Sequence, residues 1–123
     1  MIKGIGTDII EVERIEKAIT RHGAHFLETL FTENERNYCL QHKDSSRHFA
    51  GRFAAKEAIM KAIGTGLTAE VSWLDIEILN DPYGKPVTVF SDRFQHTFGK
   101  IKLCLSISHC KAYATAVAIW EEL

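Results

Sequence analysis

The chain has 123 residues, enough for one buried core and too few for two ordinary domains. Its composition, 46% hydrophobic and 25% charged, excludes a disordered chain, a collagen-like repeat and a disulfide scaffold. Fifteen basic against sixteen acidic side chains leave a net charge of −1, so no overall field draws nucleic acid, and an anionic partner must meet a local cluster.

In chain order, residues 2–10 are small and apolar and predict a strand, with glycines where something approaches the backbone closely and Asp8 interrupting the run. The pattern turns helical over 11–22. There Val12, Ile15 and Ile19 share one face, Arg14, Lys17 and Arg21 share another, and Gly23 is placed as the stop. Thr32 and Glu35 have capping-box spacing, which predicts a helix over 33–42. After a polar break at 43–46, a long helix is expected over 46–63, with Phe49, Phe53, Met60 and Ile63 as its bulky face and Gly64, Thr65 and Gly66 as its end. Residues 73–79 alternate as a strand, 80–86 form a dense turn signal, and 87–90 return as the paired strand. Ser91 caps a short helix to about Phe98. Residues 100–109 and 113–120 read as two strands around a tight connection at Cys110 and Lys111. The expected class is α+β, a single domain over 1–123.

Cys39, Cys104 and Cys110 are odd in number and form no C-x-x-C, so free thiols in a reducing compartment are expected. No long apolar stretch follows Lys3, and no run approaches the ~20 residues of a membrane helix. A soluble, cytoplasmic protein is the expectation.

The segment 51–61, GRFAAKEAIMK, is the densest in chemistry. Glu57 and Lys61 lie one turn apart beside the small Ala50 and Ala54, which leaves room for a ligand. The plainer reading is a surface i,i+4 ion pair contributing a few tenths of a kcal/mol. Asp8 is costly to bury in an apolar strand unless paired or metal-bound, although it could simply cap the turn into the next helix. Asp8 and Glu57 together form an oxygen-only set of few ligands, which suits Mg²⁺. Gly84-Lys85-Pro86 is either a hairpin turn or a turn whose lysine reaches a phosphate. No P-loop, dinucleotide fingerprint or Ser/His/Asp arrangement is present.

Five stretches together resemble a known family: 4–15 (GIGTDIIEVERI), 31–35 (FTENE), 50–58 (AGRFAAKEA), 84–86 (GKP) and 106–109 (SISH), with Tyr113 and Ala114 behind. Their order and spacing over nearly the whole chain are similar to the holo-[acyl-carrier-protein] synthases, the small bacterial type of 4′-phosphopantetheinyl transferase. Between Lys43 and Ala50 the chain carries fewer adjacent basic residues than that pattern. The resemblance implies helices packed on a curved antiparallel sheet, assembled as a homotrimer with sites at subunit junctions. It implies transfer of 4′-phosphopantetheine from coenzyme A to a serine of apo acyl carrier protein, releasing adenosine 3′,5′-bisphosphate.

By the same resemblance, Asp8 and Glu57 hold Mg²⁺, and Lys61 faces the phosphates. Glu57 is the first candidate for the proton acceptor and His109 the second. Lys43, Arg52, Gly84, Lys85, Pro86, Ser108 and His109 are expected around the 3′-phosphate and adenosine. Arg14, Lys17 and Arg21 would meet the acidic carrier protein, where the plainer reading is a solvated basic face. Two other functions stay open: a coenzyme A or nucleotide-binding module without catalysis, and a metal-dependent phosphodiesterase.

Overall fold

The computed structural model describes residues 1–64 and 71–123. Among these the elements run β1 (Ile2–Glu11), α1 (Val12–His22), α2 (Ala24–Leu30), α3 (Glu33–Leu40), α4 (Ser45–Ile63), a 3-10 turn (Trp73–Asp75), β2 (Ile76–Asn80), β3 (Pro86–Phe90), α5 (Asp92–Phe98), β4 (Lys102–His109) and β5 (Tyr113–Glu121). The expected end of the long helix falls at Gly64, which closes α4 in the left-handed conformation. Thr65 and Gly66 lie outside the described residues.

The strands make two antiparallel sheets, a three-stranded β1-β5-β4 and a hairpin β2-β3. The first strand pairs with the last, Asp8 opposite Ala116 and Glu11 opposite Tyr113. Both sheets pack on α4, most of whose 19 residues are buried, so this helix is the spine of the core. One side of it joins Val71, Ile76, Ile78 and Phe94; another joins Val12, Ile15, Phe31 and Phe49.

Small residues set how closely α4 lies on the sheet. A Cβ on Gly4 would overlap the Ala62 carbonyl, and one on Gly6 would overlap the Ala58 carbonyl. Ala114, Ala116 and Ala118 of β5 complete the flat inner face. The helix runs obliquely: Ala58 and Ala62 lie on β1, whereas Gly51 lies against Ile107 and His109 of β4. The glycines of 4–15 and the glycine and alanines of 50–58 are therefore part of the packing surface itself.

The capping box at α3 forms as expected. Thr32 Oγ1 accepts from the Glu35 N–H, and Glu35 Oε1 accepts from the Thr32 N–H. Glu35 does more than cap. It is fully buried, its Oε1 accepts from Lys56 Nζ at 2.7 Å, and its Oε2 accepts from the Ile78 N–H at 2.9 Å. Lys56 Nζ also donates to the carbonyls of Leu30 and Trp73. This buried pair ties α2, α3, β2 and the 3-10 turn to α4. Losing one partner would strand the other charge, at a cost of about 3–5 kcal/mol.

Three expectations need correction. The strand expected over 73–79 begins only at Ile76, because Asp75 turns back to accept from the Ser72 N–H at 2.7 Å and from Ser91 Oγ, closing a capped turn. The helix expected over 33–42 stops at Leu40. Residues 24–30, where the sequence predicts no element, form α2, a helix too short for periodicity to announce.

Candidate active site

Alternation along β1 turns Gly4, Gly6 and Asp8 toward α4 and Ile5, Thr7 and Ile9 away from it. The glycines that admit the helix thus bring Asp8 against its outer turn. Lys61 Nζ reaches Asp8 Oδ1 at 3.1 Å and the Thr7 carbonyl at 3.0 Å. Thr115 Oγ1 donates to the Asp8 carbonyl at 2.8 Å, which fixes the strand beneath. The ion pair of Lys61 is therefore with Asp8, fifty-three residues away, and the surface i,i+4 reading of the helix pair gives way to a three-residue cluster.

Glu57 shares this cluster. Its carboxyl is pushed above the usual range, first by burial and then by the negative charge of Asp8, with Lys61 pulling the other way. Two carboxylates crowded against one partly exposed lysine form a site short of positive charge. An oxygen-binding divalent cation would supply it, so Asp8 and Glu57 fit Mg²⁺.

A second feature opens beyond α4. A cleft of about 150 Å³ is lined by Arg52, Gly84, Pro86 and His109, all expected at a nucleotide, together with Tyr38, His48 and Asn80. Gly51 forms its floor, where a side chain would press on Ile107. Arg52 is 4% exposed, donates to Asn80 Oδ1, and lays its guanidinium 4.1 Å from the Tyr38 ring centre. Its Nε is buried with no hydrogen-bond partner among the described residues, a donor waiting for an acceptor. Tyr38, His48 and Asn80 carry no spacing signal; only the fold gathers them.

Other expected contacts fall elsewhere. Lys43 lines a neighbouring groove with Arg47 and Lys111. Ser108 points to the opposite face of β4 from Ile107, and Lys85 projects from the hairpin tip with its side chain outside the cleft lining. Arg14, Lys17 and Arg21 are exposed on α1 as expected, and Lys17 pairs with Glu13 at 3.0 Å.

The cluster and the cleft do not share a side of the helix. Nine residues at 100° put Lys61 half a turn round from Arg52 and about 14 Å further along the axis. Asp8 and His109 likewise stand on opposite edge strands, with β5 between them.

This α+β arrangement sets a carboxylate pair and an arginine-lined cleft on one helix, and residues 4–118 match the 4′-phosphopantetheinyl transferase superfamily. The chain belongs to that family. It is 54% identical to the holo-[acyl-carrier-protein] synthase of Protochlamydia amoebophila, over 98% of this chain and 99% of that one. Its structure superposes, with a TM-score of 0.85 and 46% identity, on the crystal structure of a holo-(acyl-carrier-protein) synthase from Bacillus anthracis in complex with CoA (3′,5′-ADP), covering 100% of this chain and 99% of that one. The Helicobacter pylori synthase in complex with coenzyme A is equally similar in fold, with a TM-score of 0.85 at 39% identity, over 95% of this chain and 99% of the other.

Proposed function

We propose that this protein transfers the 4′-phosphopantetheine group of coenzyme A to a serine of apo acyl carrier protein, yielding holo carrier protein and adenosine 3′,5′-bisphosphate. The observation that carries the reading is the convergence of Asp8, Glu57 and Lys61 at the contact of β1 and α4, in a chain 54% identical to a holo-[acyl-carrier-protein] synthase. A binding module has no need of two facing carboxylates.

The serine oxygen forms a bond to a phosphorus of the pyrophosphate as the bond to the bridging oxygen breaks. Such chemistry needs positioning and charge neutralisation more than covalent help. Asp8 and Glu57 would hold Mg²⁺. When bound there, the metal neutralises the pyrophosphate oxygens and polarises the attacked phosphorus. Lys61, oriented by Asp8 and the Thr7 carbonyl, stabilises the charge that grows on the departing oxygen. Glu57, directly or through a water beside it, is the candidate acceptor of the serine proton. His109 is the weaker candidate, because it faces the cleft across α4.

Arg52, Gly84, Pro86 and His109 would hold the 3′-phosphate and adenosine, with Lys85, Ser108 and Lys43 reaching from outside the cleft. One coenzyme A cannot easily touch both sides of α4 in a single subunit. This favours an assembly in which one subunit's carboxylates meet the next subunit's cleft, and the family resemblance makes that assembly a homotrimer. The sheet face turned away from α4 supports it, since Ile5 and Ile9 stand 63% and 67% exposed there. Arg14, Lys17 and Arg21 would dock the acidic carrier protein. No described helix is long and apolar enough to cross a membrane. The free thiols and these substrates suit the cytoplasm.

Incubation with coenzyme A, Mg²⁺ and an apo carrier protein, followed by intact mass measurement, tests the proposal. The carrier should gain one phosphopantetheine; an unchanged mass overturns the reading.

A further inference from the structure

Three histidines cluster beside the Arg52 cleft, two of them lining it, and the function proposed above employs only one. His42 follows α3, His48 lies in the first turns of α4, and His109 ends β4. The His42 and His48 rings stack with centres 3.8 Å apart and planes 32° from parallel. His109 meets His48 edge-on at 5.2 Å. Tyr38 backs the stack, 4.8 Å from His42, and carries the Arg52 guanidinium on its ring. His48 and His109 both line the cleft.

The charges facing this stack are unbalanced. Arg52 and the three imidazoles gather on one side. Among the described residues the carboxylate near His48 is Asp44, whose Oδ1 lies 3.5 Å from His48 Nε2 while its Oδ2 is engaged by Arg47 at 3.0 Å. His42 Nδ1 stands 3.0 Å from the Tyr38 carbonyl, which can only accept. That nitrogen therefore donates its N–H to the carbonyl. His48 has a side chain only 16% exposed. Burial first, then His42, hold it below the ordinary histidine range; Asp44 pulls up against them, and His109 and Arg52 push further down. The resting stack is starved of negative charge, and the buried Arg52 Nε lacks an acceptor among the described residues. Metal does not explain the cluster, since no group of three such ligands among the described residues has metal-holding geometry.

We infer that His42 and His48, with His109 and Arg52, read the 3′-phosphate of coenzyme A by taking up a proton as it binds. The inference rests on the function proposed above. A phosphate dianion in the cleft supplies the charge that the imidazoles lack, favours their protonated form and gives Arg52 an acceptor. By linkage, a ligand that raises a group's proton affinity binds more tightly as the pH falls through the range between the free and bound values. Coenzyme A affinity should therefore increase on acidification. Dephospho-coenzyme A, which lacks this phosphate, should show no such dependence.

Calorimetric titration of the wild-type protein with coenzyme A and with dephospho-coenzyme A tests this, at fixed Mg²⁺ and pH 7.0 to 8.0, in buffers of different ionisation enthalpy. That range lies above about 6, where phosphate itself titrates. Coenzyme A should bind with net proton uptake and tighten at least about threefold per pH unit, against a ceiling of about tenfold for one proton. Dephospho-coenzyme A should do neither. His48→Gln should fold with an unchanged melting profile, lose most of the uptake and flatten the pH dependence. The wild-type comparison stands even if that variant fails to fold. Tighter binding of coenzyme A than of the dephospho form, with no proton uptake, would assign the phosphate to Arg52 alone and overturn the inference while leaving the function intact. Proton release would overturn it equally. Failure of both ligands to bind would remove the proposed function with it.

Discussion

Glu57 and Asp8 are held closer than two carboxylates prefer, and that conflict makes their role measurable in two ways. Asp8→Asn and Glu57→Gln preserve shape and remove charge, so each should lower turnover by at least about 100-fold, partly restored by excess Mg²⁺. Near-normal turnover in both folded variants would remove the metal assignment. The second measure is stability. Glu57 binds its proton more tightly folded than unfolded. In the window above the unfolded value of 4.5, the folded state therefore holds more protons, and stability falls as pH rises through the raised folded value. At pH 7 without divalent metal, Glu57→Gln should melt above wild type, and Mg²⁺ at a concentration below that needed to rescue the variant should raise the wild-type melting temperature but not the variant's. Thermal melts with and without Mg²⁺ decide this; a variant melting at or below wild type in the absence of metal would contradict it. Lys61 acts on charge that appears only in the transition state, so Lys61→Ala should depress kcat more than it raises KM for coenzyme A. An effect confined to KM would sink that role.

At the scale of elements, the site depends on how closely α4 lies on β1. Gly6 has no room for a side chain, because the Ala58 carbonyl occupies the place of its Cβ. Gly6→Ala must push strand and helix apart, at a cost of about 3 kcal/mol, the upper end of overpacking, because the clash is with backbone. The same shift would separate Asp8 from Glu57, so activity should fall further than the folded fraction does. Chemical denaturation beside turnover measures both, and equal losses would mean that the spacing serves stability alone. The Glu35–Lys56 pair plays the matching part on the other side of α4, where it holds the 3-10 turn and β2 in place. One helix therefore sets both halves of the site.

For the whole molecule, the opposed placement of cluster and cleft has a direct consequence. If each site uses Asp8 of one subunit and His109 of the next, Asp8→Asn and His109→Ala subunits should complement each other. Unfolded together in equal amounts and refolded, they should regain activity at limiting coenzyme A in about a quarter of the sites, by random assembly around a closed ring. Each variant refolded alone should not. Activity no greater than the sum of the two separate samples would confine the site to one subunit. Steering of the carrier protein is also a property of the whole surface. Arg14→Glu should raise KM for the carrier and flatten its dependence on salt, because a screened attraction has been removed. Equal salt sensitivity in wild type and variant would return the α1 stripe to a solvated face.

Much of this protein is legible in the order of its amino acids. The period of Val12, Ile15 and Ile19, the Thr32–Glu35 cap and the alternation after Ile101 are local signals, because each rests on contacts a few residues apart. They locate α1, α3 and β4 to within a few residues. The matched stretches single out Asp8, Arg52, Glu57 and His109, and Lys61 follows from its place one helical turn beyond Glu57. Local reading fails where a side chain competes with its own backbone, as Asp75 does at the 3-10 turn. It also gives no sign that Lys61 turns to Asp8, that Glu35 reaches Lys56, or that His42, His48 and His109 stack. Those partners are tens of residues apart or joined by the path of the chain through a turn. Only the docking of α4 across β1, β5 and β4 brings them within reach, because hydrogen bonds and charges act over a few ångströms of space, whatever their separation along the chain.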